Sequence, residues 1–179
     1  MKKSFTTGIL IAALVVAVNI SPLSAQTSTP RYTDMVEDNP SADGDIKIVS
    51  DYLNTLLVDG NVDQATSLLA PGFMDYGPGP EDSADLQKTI DTWKQNATIQ
   101  QNRKVNFVAT TFNVKDGGNA GHWVSTWGTY SWTQNGKDLK LPFQYTAHLT
   151  GGKIDKDIVY YDPLYIMQKL GYTVTPPSN

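Results

Sequence analysis

Four side chains have types and placements that could serve acid–base chemistry. His148 lies near the end of a strongly alternating segment, Asp162 directly precedes a proline, and Tyr52 and Asp75 lie in the first half of the chain. A carboxyl group buried among aromatic rings has a raised pKa, which suits it to remove a proton from carbon and to protonate a carbonyl oxygen. Each residue also has an ordinary interpretation, because Asp162 could cap a helix and a lone strand histidine is often a surface residue.

Several kinds of chemistry are excluded by missing motifs. The chain has no cysteine, and it contains no Gly-rich phosphate loop, G-x-S-x-G nucleophile elbow or H-E-x-x-H sequence. Its two histidines are too far apart in the sequence to indicate a zinc site. Asp155 and Asp157 flank a lysine and are more typical of a solvated strand edge than of calcium ligands. We therefore predict no cofactor and no metal ion.

The N-terminus has the layout of a secretory signal peptide. Two lysines precede an apolar run at residues 9–18, and Leu23, Ser24 and Ala25 end the segment with a small residue. The run is too short to span a bilayer, and without cysteine there is no lipid attachment site. We predict cleavage after Ala25, removal of residues 1–25, and export to the periplasm or the medium without further membrane association.

The mature chain is acidic. Removing residues 1–25 takes away two lysines and no acidic residue from a chain with 14 basic and 18 acidic residues. A protein that binds polyanions needs the opposite balance, so we predict no nucleic-acid partner. The remaining length suits one domain with a sizeable core.

The first half of the mature chain predicts helices. Residues 26–44 have no apolar period and are interpreted as a flexible leader, as are residues 173–179 at the tail. Apolar residues at helical spacing predict a helix over residues 45–58 that ends at Gly60. Asn61 is suited to cap a second short helix, and Asp82 or Ser83 a third that carries Trp93.

The second half predicts strands. Four alternating segments, separated by turns such as Asn135–Gly136 and Gly151–Gly152, predict an antiparallel meander over residues 105–114, 122–132, 139–150 and 154–161. In the third segment, apolar residues face one way, whereas Lys140, Gln144 and His148 face the other. A last helix is predicted over residues 164–170. Helices followed by a meander indicate an α+β domain with helices on one face of a sheet.

The order of elements resembles the nuclear transport factor 2-like superfamily and, within it, the SnoaL-like polyketide cyclase group. The resemblance is carried by residues 52–63 and 68–78, and by a terminal block formed by 152–154, Asp162 and 168–171. It covers nearly all of residues 45–172. It implies a cone-shaped domain with the N-terminal helices packed in a strongly curved antiparallel sheet. It also implies a pocket at the open end and a homodimer formed through the outer face of the sheet.

The resemblance also implies roles for the four side chains. In SnoaL-like cyclases a strand histidine and an aspartate near the end of the last strand flank the pocket, which matches His148 and Asp162. In the ketosteroid isomerase branch an oxyanion-binding tyrosine and a base aspartate match Tyr52 and Asp75, but the sequence offers no convincing third acid.

The register of the last hairpin decides between the alternatives for His148 and Asp162. If Gly151 and Gly152 form a simple two-residue turn, His148 lies opposite Asp155, and His148 and Asp162 project from opposite faces. A one-residue bulge would bring them to the same side.

Two functions remain open from the sequence. The first is a cofactor-independent cyclase or isomerase that acts on a small apolar carbonyl compound in the pocket. The second is a non-catalytic module that binds a ligand or a protein in the same cone.

Overall fold

The structure, a computed structural model, describes residues 31–175. Within this range the chain forms five α-helices, seven strands and one π-helical segment. The helices are α1 (Tyr32–Met35), α2 (Ala42–Asn54), α3 (Val62–Thr66), α4 (Leu86–Ile99) and α5 (Pro163–Leu170). The strands are β1 (Val36–Glu37), β2 (Leu69–Tyr76), β3 (Ser83–Asp85), β4 (Gln101–Val114), β5 (Gly121–Gln134), β6 (Lys137–Thr150) and β7 (Lys153–Tyr161).

The first two predicted helices are present. Helix α2 buries Val49 and Leu53 on one face, and it continues through a π-helical segment, Thr55–Asp59. Gly60 ends this segment in the left-handed conformation at φ 66°, which a glycine adopts without steric cost. Asn61 caps α3 as expected, because its side chain accepts a hydrogen bond from the Gln64 amide.

The third helix begins later than the sequence indicates. Its cap is Asp85, whose carboxylate accepts from the Lys88 amide at 2.8 Å, and not Asp82 or Ser83. The difference arises because Ser83–Asp85 forms strand β3, which pairs with the end of β2. Helix α4 therefore starts directly after a strand.

The sheet is mixed, which corrects the prediction of a wholly antiparallel one. Its seven strands have the order β1-β4-β5-β6-β7-β2-β3, and β4 to β7 form the predicted antiparallel meander. Strand β2 then adds to β7 in parallel, since the helical half of the chain returns it to that edge. The parallel pair brings residues from both halves of the chain side by side.

Helices α2, α3 and α4 fill the concave side of the curved sheet. The core joins apolar residues of α2 and the π-helical segment to the inward side chains of β5, β6 and β7. At Gly128 of β5, an added Cβ would collide with the backbone of Asn106 and with Phe107 on the neighbouring strand. The missing side chain lets β4 approach closely here, as a strongly curved sheet requires.

The described part of the predicted leader carries ordered elements, which corrects its interpretation as flexible up to residue 44. Strand β1 pairs with β4, and α2 already begins at Ala42. The side chain of Asn39 is buried and donates hydrogen bonds to Asp45 and Thr111 at 2.8 and 2.7 Å. Polar side chains thus anchor this segment, so no apolar period reveals it.

The predicted signal peptide, residues 1–25, and its cleavage site lie outside the described residues. Among residues 31–175, no helix combines the length and the apolar character that a bilayer crossing requires.

Candidate active site

A cavity of about 390 Å³ lies between the concave face of the sheet and helices α2, α4 and α5. Most of its lining is apolar or aromatic, and its lining residues include no lysine, arginine or histidine. Two carboxyl groups, Asp75 and Asp157, line one part of the wall. Its size and composition are typical of small-molecule sites, in which a few polar groups interrupt an apolar wall.

The two carboxyl groups are brought together by the parallel pair of strands. Asp75 on β2 lies directly opposite Asp157 on β7, and neighbouring strands are about 4.8 Å apart. Asp157 is only 3 % exposed, whereas Asp75 is partly accessible. The site therefore holds two acidic side chains in adjacent positions with little water around one of them.

This arrangement separates the protonation states of the pair. Burial raises the pKa of Asp157 well above its usual value, and the negative charge of Asp75 raises it further. Burial also raises the pKa of Asp75, but the hydrogen bond with Asp157 and the charge of Lys88 act in the opposite direction. Two adjacent carboxylates cannot both ionise easily, which favours a state with one proton on the pair. Because Asp157 is the more deeply buried, its protonated form is favoured more strongly than that of Asp75.

Two tyrosines lie beside the acidic pair. The rings of Tyr52 and Tyr145 stack with centroids 6.0 Å apart. Burial and the nearby carboxyl groups raise the pKa of both phenols, so both stay protonated at neutral pH. Among residues 31–175, the Tyr145 hydroxyl and Oδ1 of Asp157 have no hydrogen-bond partner of good geometry, although they are close enough to perturb each other's pKa. Both atoms are enclosed by protein, so their hydrogen-bonding capacity is unmet at the buried, acidic end of the cavity.

Asp157 reaches the cavity because the β6–β7 hairpin contains a bulge. The pairing starts as a simple turn with Thr150 opposite Lys153, but His148 then lies opposite Lys156, so Asp155 is the extra residue. Without the bulge Asp157 would face Thr146 on the polar side of β6. With it, Asp157 lies opposite the fully buried Ala147 on the apolar side.

Side-chain hydrogen bonds hold the bulge. The Asp155 carboxylate contacts His148 Nδ1 at 2.6 Å and accepts from the Thr150 hydroxyl at 2.9 Å. His148 Nε2 contacts the carbonyl oxygen of Ala120 at 3.1 Å, and its ring packs against Trp123 with centroids 4.9 Å apart. These contacts tie the extra residue to β6 on the outer face of the sheet, and through His148 to the residue before β5.

The structure places the four sequence-derived candidates in different environments. Tyr52 and Asp75 line the cavity. His148 lies on the outer face, and Asp162 is an exposed cap of α5 that accepts from the Tyr165 amide at 2.9 Å. This corrects the expectation that His148 and Asp162 point into the cone together: the predicted alternative bulge is present, but it leaves His148 outside.

Sequence reasoning missed Asp157 and Tyr145. Tyr145 belongs to the apolar face that the alternation of β6 predicts, so a signal for its inward position was available. Asp157 had no such signal, because simple alternation after the Gly151–Gly152 turn assigns it to the polar face. The alternation of β6 does place His148 on the polar face, which agrees with the structure.

The chain shares its architecture with solved structures. PrhC from Penicillium brasilianum has a TM-score of 0.60 at 12% identity, with 72% of this chain and 86% of that chain covered. This chain has the nuclear transport factor 2-like fold. A Catenulispora acidiphila protein with a ketosteroid isomerase-like fold, crystallised with trimethylamine, gives 0.56 at 15% identity, covering 73% and 98%. A Shewanella putrefaciens protein assigned as a SnoaL-like polyketide cyclase gives 0.56 at 11% identity, covering 70% and 95%.

The nuclear transport factor 2-like fold does not by itself assign an activity, because one fold hosts many functions. No protein-family model matches the sequence, and no curated protein matches it. Among residues 31–175, no group of three or more His, Asp or Glu side chains is placed to hold a metal ion. The function must therefore be argued from the acidic pair and its surroundings.

The raised pKa of Asp157 predicts a pH-dependent stability effect. The pKa of this carboxyl group is higher in the folded protein than in the unfolded chain, where it is about 3.9. The group therefore lowers the free energy of unfolding as pH rises from the unfolded pKa to the folded pKa. Asp157→Asn removes this loss, so we expect a higher free energy of unfolding than wild type near pH 7 and a much smaller difference at about pH 3. Urea unfolding at both pH values measures this. Asp162→Asn is the control, because asparagine also caps helices well. Equal stability of Asp157→Asn and wild type near pH 7 would contradict the assignment.

The hydrogen bonds of Asp155 predict that the bulge depends on this side chain. Asp155→Ala removes two bonds and leaves the part-buried His148 without its carboxylate partner, so we expect a loss of about 1–3 kcal/mol in the free energy of unfolding. Asp116→Ala, in an exposed loop, should change little. Urea melts of the two variants provide the comparison, and equal losses would rule out a specific role of Asp155.

Proposed function

We propose that this protein is a cofactor-independent enzyme that moves protons on a small apolar carbonyl compound, as an isomerase or a cyclase does. The observation that supports this most is the pair formed by Asp75 and Asp157 in an aromatic cavity. Burial raises the pKa of both groups, most strongly that of Asp157, so we assign the protonated acid to Asp157 and the ionised base to Asp75. Such a pair supplies a general base and a general acid in one site.

In the proposed reaction, Asp75 removes a proton from the carbon next to the carbonyl group. The electron pair of the broken C–H bond forms the enolate, whose oxygen accepts hydrogen bonds from protonated Asp157 and the Tyr145 phenol. Asp75 then returns the proton to a different carbon, which completes an isomerisation. Alternatively, the enolate carbon attacks a second carbonyl in the same molecule, whose oxygen receives the proton, and a ring closes.

The surroundings support this chemistry in two ways. The mostly apolar and aromatic lining lowers the local polarity, which strengthens hydrogen bonds to the developing negative charge. No lysine, arginine or histidine lines the cavity, and the charge of Lys88, which lies outside the lining, opposes only part of the rise that burial causes in the pKa of Asp75. A neutral, mostly apolar substrate matches such a lining.

The second candidate function is binding without turnover. Carboxyl groups surrounded by aromatic rings also suit an organic cation, since the rings attract positive charge through their faces. A cavity that lacks cationic side chains favours such a ligand. In this case the protein would be a carrier or sensor.

The acid–base proposal predicts hydrogen exchange on a ketone. We expect the wild type to accelerate exchange of the α-protons of 5α-androstane-3,17-dione in D₂O, measured by mass spectrometry. Asp75→Asn should lower this rate by roughly 10²–10⁴-fold because the general base is lost. Tyr145→Phe should lower it by up to about 10³-fold, and Asp162→Asn, outside the cavity, should retain it. No acceleration by wild type, or full activity of Asp75→Asn, would refute catalysis and favour the binding function.

We also propose that the protein acts outside the cytoplasm as a homodimer. Export rests on the signal-peptide pattern of residues 1–25. Dimerisation rests on a row of positions across four strands of the outer face, where Val108, Trp127, Gln144 and Tyr160 lie opposite one another. The three apolar members of this row are 52–54% exposed. Exposed apolar side chains at aligned positions of neighbouring strands, here interrupted only by Gln144, are typical of a protein interface.

If the protein dimerises through this row of residues, a charge introduced into the row should dissociate the dimer. Light scattering of wild type at micromolar concentration should give the mass of a dimer, and Trp127→Glu should give a monomer because it buries a charge in the interface. Tyr172→Glu, at an exposed site outside the sheet, should remain dimeric. A monomeric wild type would contradict the proposal.

A further inference from the structure

We propose that the cavity contains a second polar subsite, formed by Gln100 and Gln134, that binds an acceptor oxygen at the end of the ligand remote from the acidic pair. The inference rests on the proposed function, which places the reacting carbonyl of the ligand at Asp75 and Asp157. It adds the substrate class: a neutral, elongated and mostly apolar compound with an oxygen at each end.

The orientation of Gln134 follows from its partner. The indole nitrogen of Trp132 donates to Oε1 of Gln134 at 3.1 Å. An indole N–H can only donate, so the oxygen of the carboxamide must face Trp132. The amide NH₂ then points elsewhere, and it has no hydrogen-bond partner among residues 31–175. Because Gln134 lines the cavity, this donor is available to a ligand.

Gln100 is held in a similar way at the end of α4. The Tyr130 hydroxyl donates to Oε1 of Gln100 at 2.7 Å, so the NH₂ group of this carboxamide is also left as a donor. The rings of Tyr130 and Trp132 stack with centroids 4.8 Å apart and an angle of 19°. Two neighbouring buried aromatic residues therefore each bind the oxygen of one carboxamide, and the indole of Trp132, which can only donate, fixes the orientation of Gln134. In each carboxamide the oxygen is bound by a buried aromatic residue and the NH₂ group is left as a donor. Two unconstrained surface amides would not share this arrangement.

The subsite is well separated from the acidic pair. Along β6, Leu141 lies opposite Tyr130, and Tyr145 lies four residues further on. Four residues of strand span about 13 Å. Leu141, Phe143 and Tyr145 all line the cavity between the two polar ends. A ligand that contacts both ends must therefore be long and apolar in the middle.

The chemistry of the subsite selects acceptor oxygens that carry no charge. Two amide donors bind a carbonyl or ether oxygen well. The charge of Arg103 reaches the Tyr130 hydroxyl, but Arg103 does not line the cavity. A carboxylate or phosphate would therefore be desolvated without a cationic lining residue beside it and would be opposed by the acidic pair. The distal group is thus a ketone, ester or ether oxygen.

Binding of two matched ketones tests the subsite. The probes are 5α-androstane-3,17-dione and 5α-androstan-17-one, which differ only in the second oxygen, and Kd is measured by quenching of tryptophan fluorescence. We expect wild type to bind the dione about three- to tenfold more tightly, the gain typical of one to two hydrogen bonds. The variants are Gln100→Glu and Gln134→Glu, which keep the acceptor for Tyr130 or Trp132 but replace the NH₂ donor by an acceptor.

The variants should abolish or reverse the preference for the dione while leaving the Kd of the monoketone nearly unchanged. Gln95→Glu, an exposed residue on the same helix as Gln100, should keep the preference of wild type. Equal affinity of wild type for both probes, a preference that survives in both variants, or failure of both probes to bind would overturn the proposal. The outcome is independent of catalysis, because a wild type that prefers the dione but exchanges no protons retains the subsite and loses only the proposed function.

Discussion

Asp157 faces the cavity because the pairing of β6 with β7 gains one residue at Asp155. A sheet alternates its side chains strictly, so a shift of one residue exchanges the faces of everything that follows. The bulge moves Asp157 from the polar side to a position opposite Ala147 and beside Asp75. The adjacent carboxyl groups, the strongly raised pKa of Asp157 and the acidic end of the cavity all depend on this shift.

The acidic pair is an unfavourable arrangement for folding that the rest of the domain stabilises. Burial of a carboxyl group beside another is opposed by desolvation and by like-charge repulsion. Two regular strands nevertheless hold the groups in adjacent positions, and side-chain hydrogen bonds from His148 and Thr150 to Asp155 fix the bulge on the outer face. His148 thereby influences the cavity without lining it. Strain and unfavourable burial of this kind cluster at functional sites.

The two ends of the cavity use aromatic residues differently. Near the acidic pair, Tyr52 and Tyr145 stack as buried rings beside the carboxyl groups, whereas Tyr130 and Trp132 use their polar groups to bind carboxamides. The apolar wall between them gives shape without directional bonding. Selectivity for an elongated neutral compound would then come from the spacing of the polar ends, and reactivity from the acidic end alone.

The amino-acid sequence by itself determined the fold class and the main helices and strands, because hydrophobic periodicity and turn residues are local signals. The helix end at Gly60, the cap at Asn61 and the four alternating strands all follow from them. It also identified Tyr52 and Asp75 as cavity residues through the resemblance. Only the tertiary structure decided which acid joins Asp75. A bulge leaves no local signature in the spacing of residues, and the parallel pairing of β2 with β7 joins segments about 80 residues apart along the chain. Strand pairing thus decides which face of the sheet a side chain occupies beyond a bulge. For this reason the sequence pointed to Asp162 and did not identify Asp157 as the acid beside Asp75.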